Sequence, residues 1–386
     1  MKKINKMICI ISIAALLLAS VSGCTDNTAE KEDFSLEGVF EKMQELLGIN
    51  GADEDDWIYA ASGIKGDAVM LTVDGEDVTA EEYFYFLMSS VDYLQYYYFY
   101  YSDIDWSETI DGMTVADYVK YDALETIKLY HAVSGNAASL GFSLTEEDVE
   151  AVAELRQQTI DSFGGEEEYN VQLKAAYMTD EIYQYLNEVY YLYNNIYEGF
   201  YGDGGTRRPT DEEVLAYGGE NGYMHAAHIL LSFTDSEGNA ISDEEKTEKH
   251  ALAESLLAQL NAGGDTVNLF MNLMAEYRED TGLSQYPTGY HFVSGEMDET
   301  FEAAVGALDV NQYSGIVETG FGYHIILRLP LEADSLRETY SGELFDELVS
   351  EWRENAEVEY GGKYDAVDVE AFYNAVTEAE EAAAAE

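Results

Sequence analysis

Two apolar, β-rich runs set the terms for the middle of this chain. The first is M-H-A-A-H-I-L-L at 224–231; the second, V-E-T-G-F-G-Y-H-I-I-L-R-L, occupies 317–329. Each carries a histidine, His228 and His324, in a run whose composition specifies a strand. By the period of two, His324 and Ile326 share one face of their strand, with Tyr323 and Ile325 on the other. If the two strands are neighbours, His228 and His324 can hydrogen-bond across the sheet. Between them lie helix-like segments, then A-E-Y-R-E-D (275–280) and G-E-M-D-E-T-F (295–301). Met297 and Phe301 are four apart, which puts them on one face of a helix. Two histidines, the acid Asp280 and this apolar pair make a candidate pocket.

The same residues exclude several chemistries. His225 and His228 read as H-x-x-H, a spacing that invites a metal. On a strand, positions three apart point to opposite faces, so the two cannot share an ion. The sequence offers no third ligand nearby, and no metal or cofactor is expected. No serine sits in a nucleophile elbow, and no glycine loop cradles phosphate. A buried structural histidine is the other reading of His228.

The first residues bear on the compartment. Lys2, Lys3 and Lys6 precede an apolar run at 7–19, too short for an ordinary membrane span, and V-S-G-C (21–24) follows. This reads as a secretory signal (1–23) ending in a bacterial lipobox, with cleavage before Cys24 and diacylation of its thiol. A signal anchor that stays uncut is the alternative. Cys9 lies in the removed segment, so the mature chain keeps no free thiol and has no disulfide. The formal charge of −58 argues against nucleic-acid binding, which needs Lys and Arg to replace counterions. The acidity serves solubility in an exposed environment, or favours basic partners. Residues 24–66, rich in Asp, Glu, Asn and Gly, read as an acidic tether reaching about 35 Å as a flexible coil.

A helical region follows. A-V-M-L-T-V-D-G-E-D-V (68–78) reads as strand, Asp-Gly turn and strand. Thr79 to Glu82 has the capping-box spacing and starts a helix carrying Tyr83, Phe84, Tyr85, Phe86 and Leu87. These aromatics line a groove for unfolded polypeptide, or they are core. Helices are expected over 114–140, from 145 to about 163, and over 170–177 and 179–201, with a short one at 212–217. A further amphipathic helix at 334–358 and a shorter one at 369–375 pack back on the helical domain. The chain ends in a low-complexity Ala/Glu tail. The expected domains are 67–215 (helical), 222–331 (small α+β) and 332–386 (C-terminal segment).

The stretch 225–329 resembles the parvulin-type peptidyl-prolyl isomerases. The resemblance rests on H-I-L (228–230), Y-x-x-D (277–280), F-x-x-G-x-M (292–297), F-x-x-A (301–304), L-x-x-x-x-x-S-G-x-V (308–317) and T-x-x-G-Y-H-I-I (319–326). With the lipobox and the helical region, the whole chain is similar to lipid-anchored extracytoplasmic foldases of the PrsA and SurA type. The implied fold is α+β: an all-helical SurA-like chaperone domain with a small parvulin domain, an antiparallel sheet surrounded by helices. The implied activity is X-Pro isomerisation in unfolded or folding exported polypeptides, at the outer face of the cell membrane, with a client-holding lipoprotein that lacks catalysis as the alternative. His228 and His324 match the paired histidines of the parvulin site. Asp280 matches the acid beside the susceptible amide, and Thr319 a hydroxyl within the histidine network. Met297 and Phe301 match the wall that holds the proline ring, joined by Phe292. Arg278, Pro287-Thr288 and His291 depart from the family pattern, which bears on substrate preference and rate.

Overall fold

The computed structural model describes residues 57–99, 103–263, 266–277 and 279–384. The leader, Cys24, most of the expected tether and Arg278 lie outside the described residues. The described chain forms two compact units: residues up to Thr206 together with those from Phe345 onward, and Arg207–Leu344.

In the first unit, α1 (Trp57–Ser62) already belongs to the packed structure. Ile58, Ala60 and Ile64 are buried, so residues 58–64 of the expected tether take part in the packed structure. Strands β1 (Val69–Val73) and β2 (Glu76–Thr79) form a tight hairpin. Its turn uses Asp74 and Gly75 at φ of 52° and 83°, the left-handed pair that a two-residue turn requires. Thr79 caps α2 (Ala80–Tyr97) by accepting from the Glu82 amide. The reciprocal half of the expected capping box is absent, because the Glu82 carboxylate bonds Nε2 of buried His131 at 2.9 Å instead.

Tyr83, Phe84, Tyr85, Phe86 and Leu87 are all buried, so this aromatic run is core. Helices α3 (Val115–Ser139), α4 (Glu146–Phe163), α5 (Glu166–Ala175) and α6 (Asp180–Tyr201) follow, after the two-residue strands β3 (Thr109–Ile110) and β4 (Met113–Thr114). Thr145 and Asp148 make a complete capping box at the start of α4. The C-terminal residues complete this unit. Phe345 is buried against Tyr193, Tyr197 and Tyr201 of α6, and Phe372 packs on Phe84 at 4.4 Å. β9 (Val358–Tyr360) adds a third, antiparallel strand beside β1.

The second unit begins before the expected boundary at 222. Thr210 and Glu213 cap α7 (Asp211–Glu220), and Tyr217 of that helix stacks on Tyr340 at 4.5 Å and donates to Glu343 at 2.6 Å. The Arg337 guanidinium bonds the Pro209 carbonyl and Asp211. The helical domain therefore ends at Thr206 rather than 215. α11 (Ala333–Asn355) contributes its residues up to Leu344 here and the rest to the first unit.

The sheet of this unit has the order β6-β5-β8-β7, all antiparallel: β6 (Tyr290–Phe292), β5 (Met224–Ser232), β8 (Gly322–Leu329) and β7 (Tyr313–Glu318). Alternation gives it two different faces. Ala227, Ile229, Leu231, Ile325 and Leu327 pack under α8 (Asp243–Asn261) and α9 (Thr266–Glu276), through Leu256 and Phe270. Ala226, Phe292 and Ile326 face α10 (Glu299–Gly306), through Phe301 and Val305. The second face carries the candidate site. Among the described residues, no helix is long and apolar enough to cross a membrane.

Candidate active site

The centre of the sheet sets the geometry. His228 stands opposite Ile326, and Leu230 opposite His324, so the two histidines are diagonal neighbours on one face. Their rings lie nearly parallel (14°), and Nδ1 of one is 2.9 Å from Nδ1 of the other. Thr319, between β7 and β8, places Oγ1 2.8 Å from His324 Nε2 and accepts from the Phe321 amide at 3.1 Å. At the other end, His228 Nε2 is 2.9 Å from Asp280 Oδ2. Asp280 follows α9 and caps the short 3-10 turn Thr281–Ser284, its Oδ1 accepting from the Gly282 amide at 2.9 Å.

The four residues expected to form the polar part of the site thus form one chain: Thr319, His324, His228, Asp280. With one proton on each ring its polarity is fixed. Asp280 can only accept, so His228 carries its proton on Nε2; His324 then donates from Nδ1, and the Thr319 hydroxyl donates to His324 Nε2. Burial, and secondarily His228 beside it, push His324 down to about 4, so its ring is neutral near pH 7. Burial would raise Asp280, but hydrogen bonds from His228, Tyr290 and the Gly282 amide outweigh it and hold the carboxyl at about 2.

An apolar wall stands over this floor. Phe301 meets His228 and His324 edge to face, at 5.4 and 5.6 Å between centroids. Asp298 caps α10 by accepting from the Thr300 and Phe301 amides, and Glu302 holds the Gly295 and Met297 amides. These bonds fix the loop that presents Met297. The cleft, about 390 Å³, is lined by Met297, Phe301, His228, Asp280, Thr319 and His324, and extends past Leu230, Ser232 and Phe321. Phe292 does not line it. It is fully buried at 1% exposure and backs Phe301 from beneath, 6.0 Å between ring centroids.

Tyr290 is a lining residue that the motifs did not mark. Its hydroxyl donates to Asp280 Oδ2 at 2.6 Å. The signal was present in the period of two: Tyr290 and Phe292 are alternate residues of one strand and face the same side.

On the opposite face His225 is not as isolated as its sequence neighbours suggest. His225, His291 and Glu332 bring ligand-type atoms within 4.8 Å of one another. The two rings are stacked, 3.8 Å apart and 18° from parallel, so their in-plane lone pairs lie in separate planes. The His225 nitrogens face the Pro330 and Thr288 carbonyls at 2.7 and 3.2 Å. Sharing one ion would need a ring to turn.

What the cleft offers a substrate is an apolar slot above a hydrogen-bonded histidine pair, with the Asp280 carboxylate at its side.

The chain is similar to several known proteins. Residues 214–328 match the sequence model of the PPIC-type PPIASE domain. The chain is 27% identical over 270 residues to the foldase protein PrsA of Caldanaerobacter subterraneus, covering 68% of this chain and 73% of that one. To PrsA of Halalkalibacterium halodurans it is 35% identical over 124 residues, 31% of each chain. A crystal structure of PrsA from Bacillus subtilis aligns over 82% of this chain and 93% of that one, at 17% identity and a TM-score of 0.24. Residues 214–328 are a parvulin-type peptidyl-prolyl cis–trans isomerase domain.

Proposed function

We propose that this isomerase domain serves a membrane-anchored foldase, which turns X-Pro bonds in exported polypeptides outside the cytoplasm. The observation that carries the reading is the juxtaposition of Phe301 with the His228–His324 pair and of that pair with Asp280. Amide resonance gives an X-Pro bond a barrier of about 18–20 kcal/mol, because that resonance is lost when the bond is twisted. A dry slot disfavours the charge-separated planar amide. Met297 and Phe301 grip the ring, and the hydrogen-bonded histidine pair with Thr319 sets the polarity of the floor. The Asp280 carboxylate opposes the negative carbonyl oxygen of the planar form. All of this favours the transition state over the bound substrate, and no proton need be transferred.

In this reading the signal ends before Cys24, whose diacylated thiol anchors the chain, and the helical unit meets clients. The test of catalysis is refolding of a protein limited by a trans-to-cis proline step, with the full chain at catalytic amounts. Faster refolding supports the proposal, and an unchanged slow phase refutes it. The anchor is tested separately by mass spectrometry of the mature N-terminus, with Cys24→Ser as the control.

A second reading, client holding without catalysis, draws on one observation. Tyr96, Tyr97 and Tyr98 are half exposed at the end of α2, at 51%, 52% and 53%, while Tyr83, Phe84, Tyr85 and Phe86 at its start are buried. Suppression of client aggregation that survives loss of the isomerase cleft favours this reading.

A further inference from the structure

The carboxylate of Asp280 is held by more than the histidine. Its Oδ2 receives two donors, His228 Nε2 at 2.9 Å and the Tyr290 hydroxyl at 2.6 Å, while Oδ1 receives the Gly282 amide at 2.9 Å. The two side-chain donors come from adjacent strands, β5 and β6, and the third from the turn that Asp280 itself caps. A carboxylate with donors fixed on both oxygens cannot rotate without losing at least one charge-assisted bond.

The turn is shaped for this contact. A Cβ at Gly282 would lie 2.1 Å from the Tyr290 hydroxyl and 3.2 Å from its ring carbon. Glycine at 282 therefore leaves the space through which Tyr290 reaches Asp280, and its amide supplies a donor in the same step. Tyr290 is itself steadied by the Tyr286 ring at 4.8 Å. Its position leaves its ring in the cleft wall and its hydroxyl turned to the acid.

We infer that Tyr290 is a positioning residue: together with Gly282 it locks the rotamer of Asp280, so that the carboxylate presents a fixed anion to the reacting amide. This rests on the isomerase reading of the cleft. Removing the hydroxyl leaves the ring, the wall and the apolar volume intact, and frees the carboxylate to turn. The loss falls on the transition state, where the direction of the anion matters, and not on the grip of the proline ring.

The test is exchange NMR on an X-Pro peptide with the full chain, separating kcat from KM. Tyr290→Phe is expected to lower kcat about tenfold, with KM within about twofold of wild type. Gly282→Ala, which pushes the hydroxyl away while keeping the amide donor, should give the same loss. The double variant Gly282→Ala/Tyr290→Phe should lose no more than either alone, because both act on one bond. Additive losses, or an unchanged kcat in Tyr290→Phe, overturn the inference while leaving the isomerase reading standing. A rise in KM alone also overturns it and makes Tyr290 a wall of the slot. A wild-type chain without turnover overturns both.

Discussion

His228 and His324 meet nitrogen to nitrogen, Nδ1 to Nδ1 at 2.9 Å, across a diagonal of the β5–β8 pair. Two imidazoles can sit this close only if one supplies a proton and the other a lone pair. The contact therefore makes each ring's proton depend on its outer neighbour, Asp280 on one side and Thr319 on the other.

Thr319→Ala removes one end of that chain. It leaves His324 Nε2 without its hydroxyl and the Phe321 amide without an acceptor, both in a site where Thr319 itself is 8% exposed. The expected loss is about 1–3 kcal/mol in urea denaturation of this unit, larger than for a typical surface change.

A fall in pH should weaken the second unit and strengthen the first. His324 stays neutral when folded, at about 4 against an ordinary 6.5, because burial and then His228 disfavour its charge. Its folded value is depressed, so the unfolded chain binds the extra proton first. Stability from this group is full above about 6.5 and is lost as pH falls toward about 4. His291 is shifted down to about 4 as well, by burial and then by His225, and acts in the same direction. In the first unit His131 is shifted up: burial opposes its charge, but Glu82 and Glu76 outweigh it. That contribution is full below the unfolded value of 6.5 and lost as pH rises through the folded one. Denaturation followed separately in the two units at pH 5 and pH 8 checks both signs. His131→Gln should abolish the dependence in the first unit alone.

Gly289 marks a close approach beside the departure at Pro287-Thr288. Its φ is +113°, and a Cβ there would lie 2.6 Å from the Ala226 carbonyl. Gly289→Ala forces the β5–β6 pair apart or strains the turn. A loss of about 1–3 kcal/mol is expected in thermal unfolding, with activity falling at the same time because Tyr290 follows directly.

Met297→Ala separates grip from fold. Met297 is half-buried and lines the cleft, whereas Phe301 is 5% exposed and also belongs to the core. Trimming Met297 should reduce kcat/KM about tenfold with little change in stability. Phe301→Ala should cost about 3–5 kcal/mol of stability, so its activity is interpretable only through the folded fraction.

Much of the site was legible because it rests on strand alternation. The period of two put His324 and Ile326 on one face, and the facing strand put His228 beside them. Asp280, Met297 and Phe301 followed from family spacing. Tyr290 escaped because no motif marks it, although it is one pleat away from Phe292. Phe292 was assigned to the wall, yet it sits one layer deeper, since a buried aromatic in a three-residue strand does not declare which ring lies above it. The capping box at Thr79 failed for a tertiary reason: His131, 49 residues on, claims the Glu82 carboxylate. The unit boundaries failed likewise. Tyr217 and Arg337 are drawn into the second unit by partners more than a hundred residues away, Glu343 and Pro209.

The most direct test of the account is cis–trans exchange of an X-Pro peptide, measured by NMR with and without the full chain, for wild type and Asp280→Ala. Wild type at catalytic amounts should accelerate the exchange, and Asp280→Ala should show a kcat at least tenfold lower (about 1.4 kcal/mol). Wild type that leaves the exchange rate unchanged would contradict it, as would Asp280→Ala with undiminished kcat.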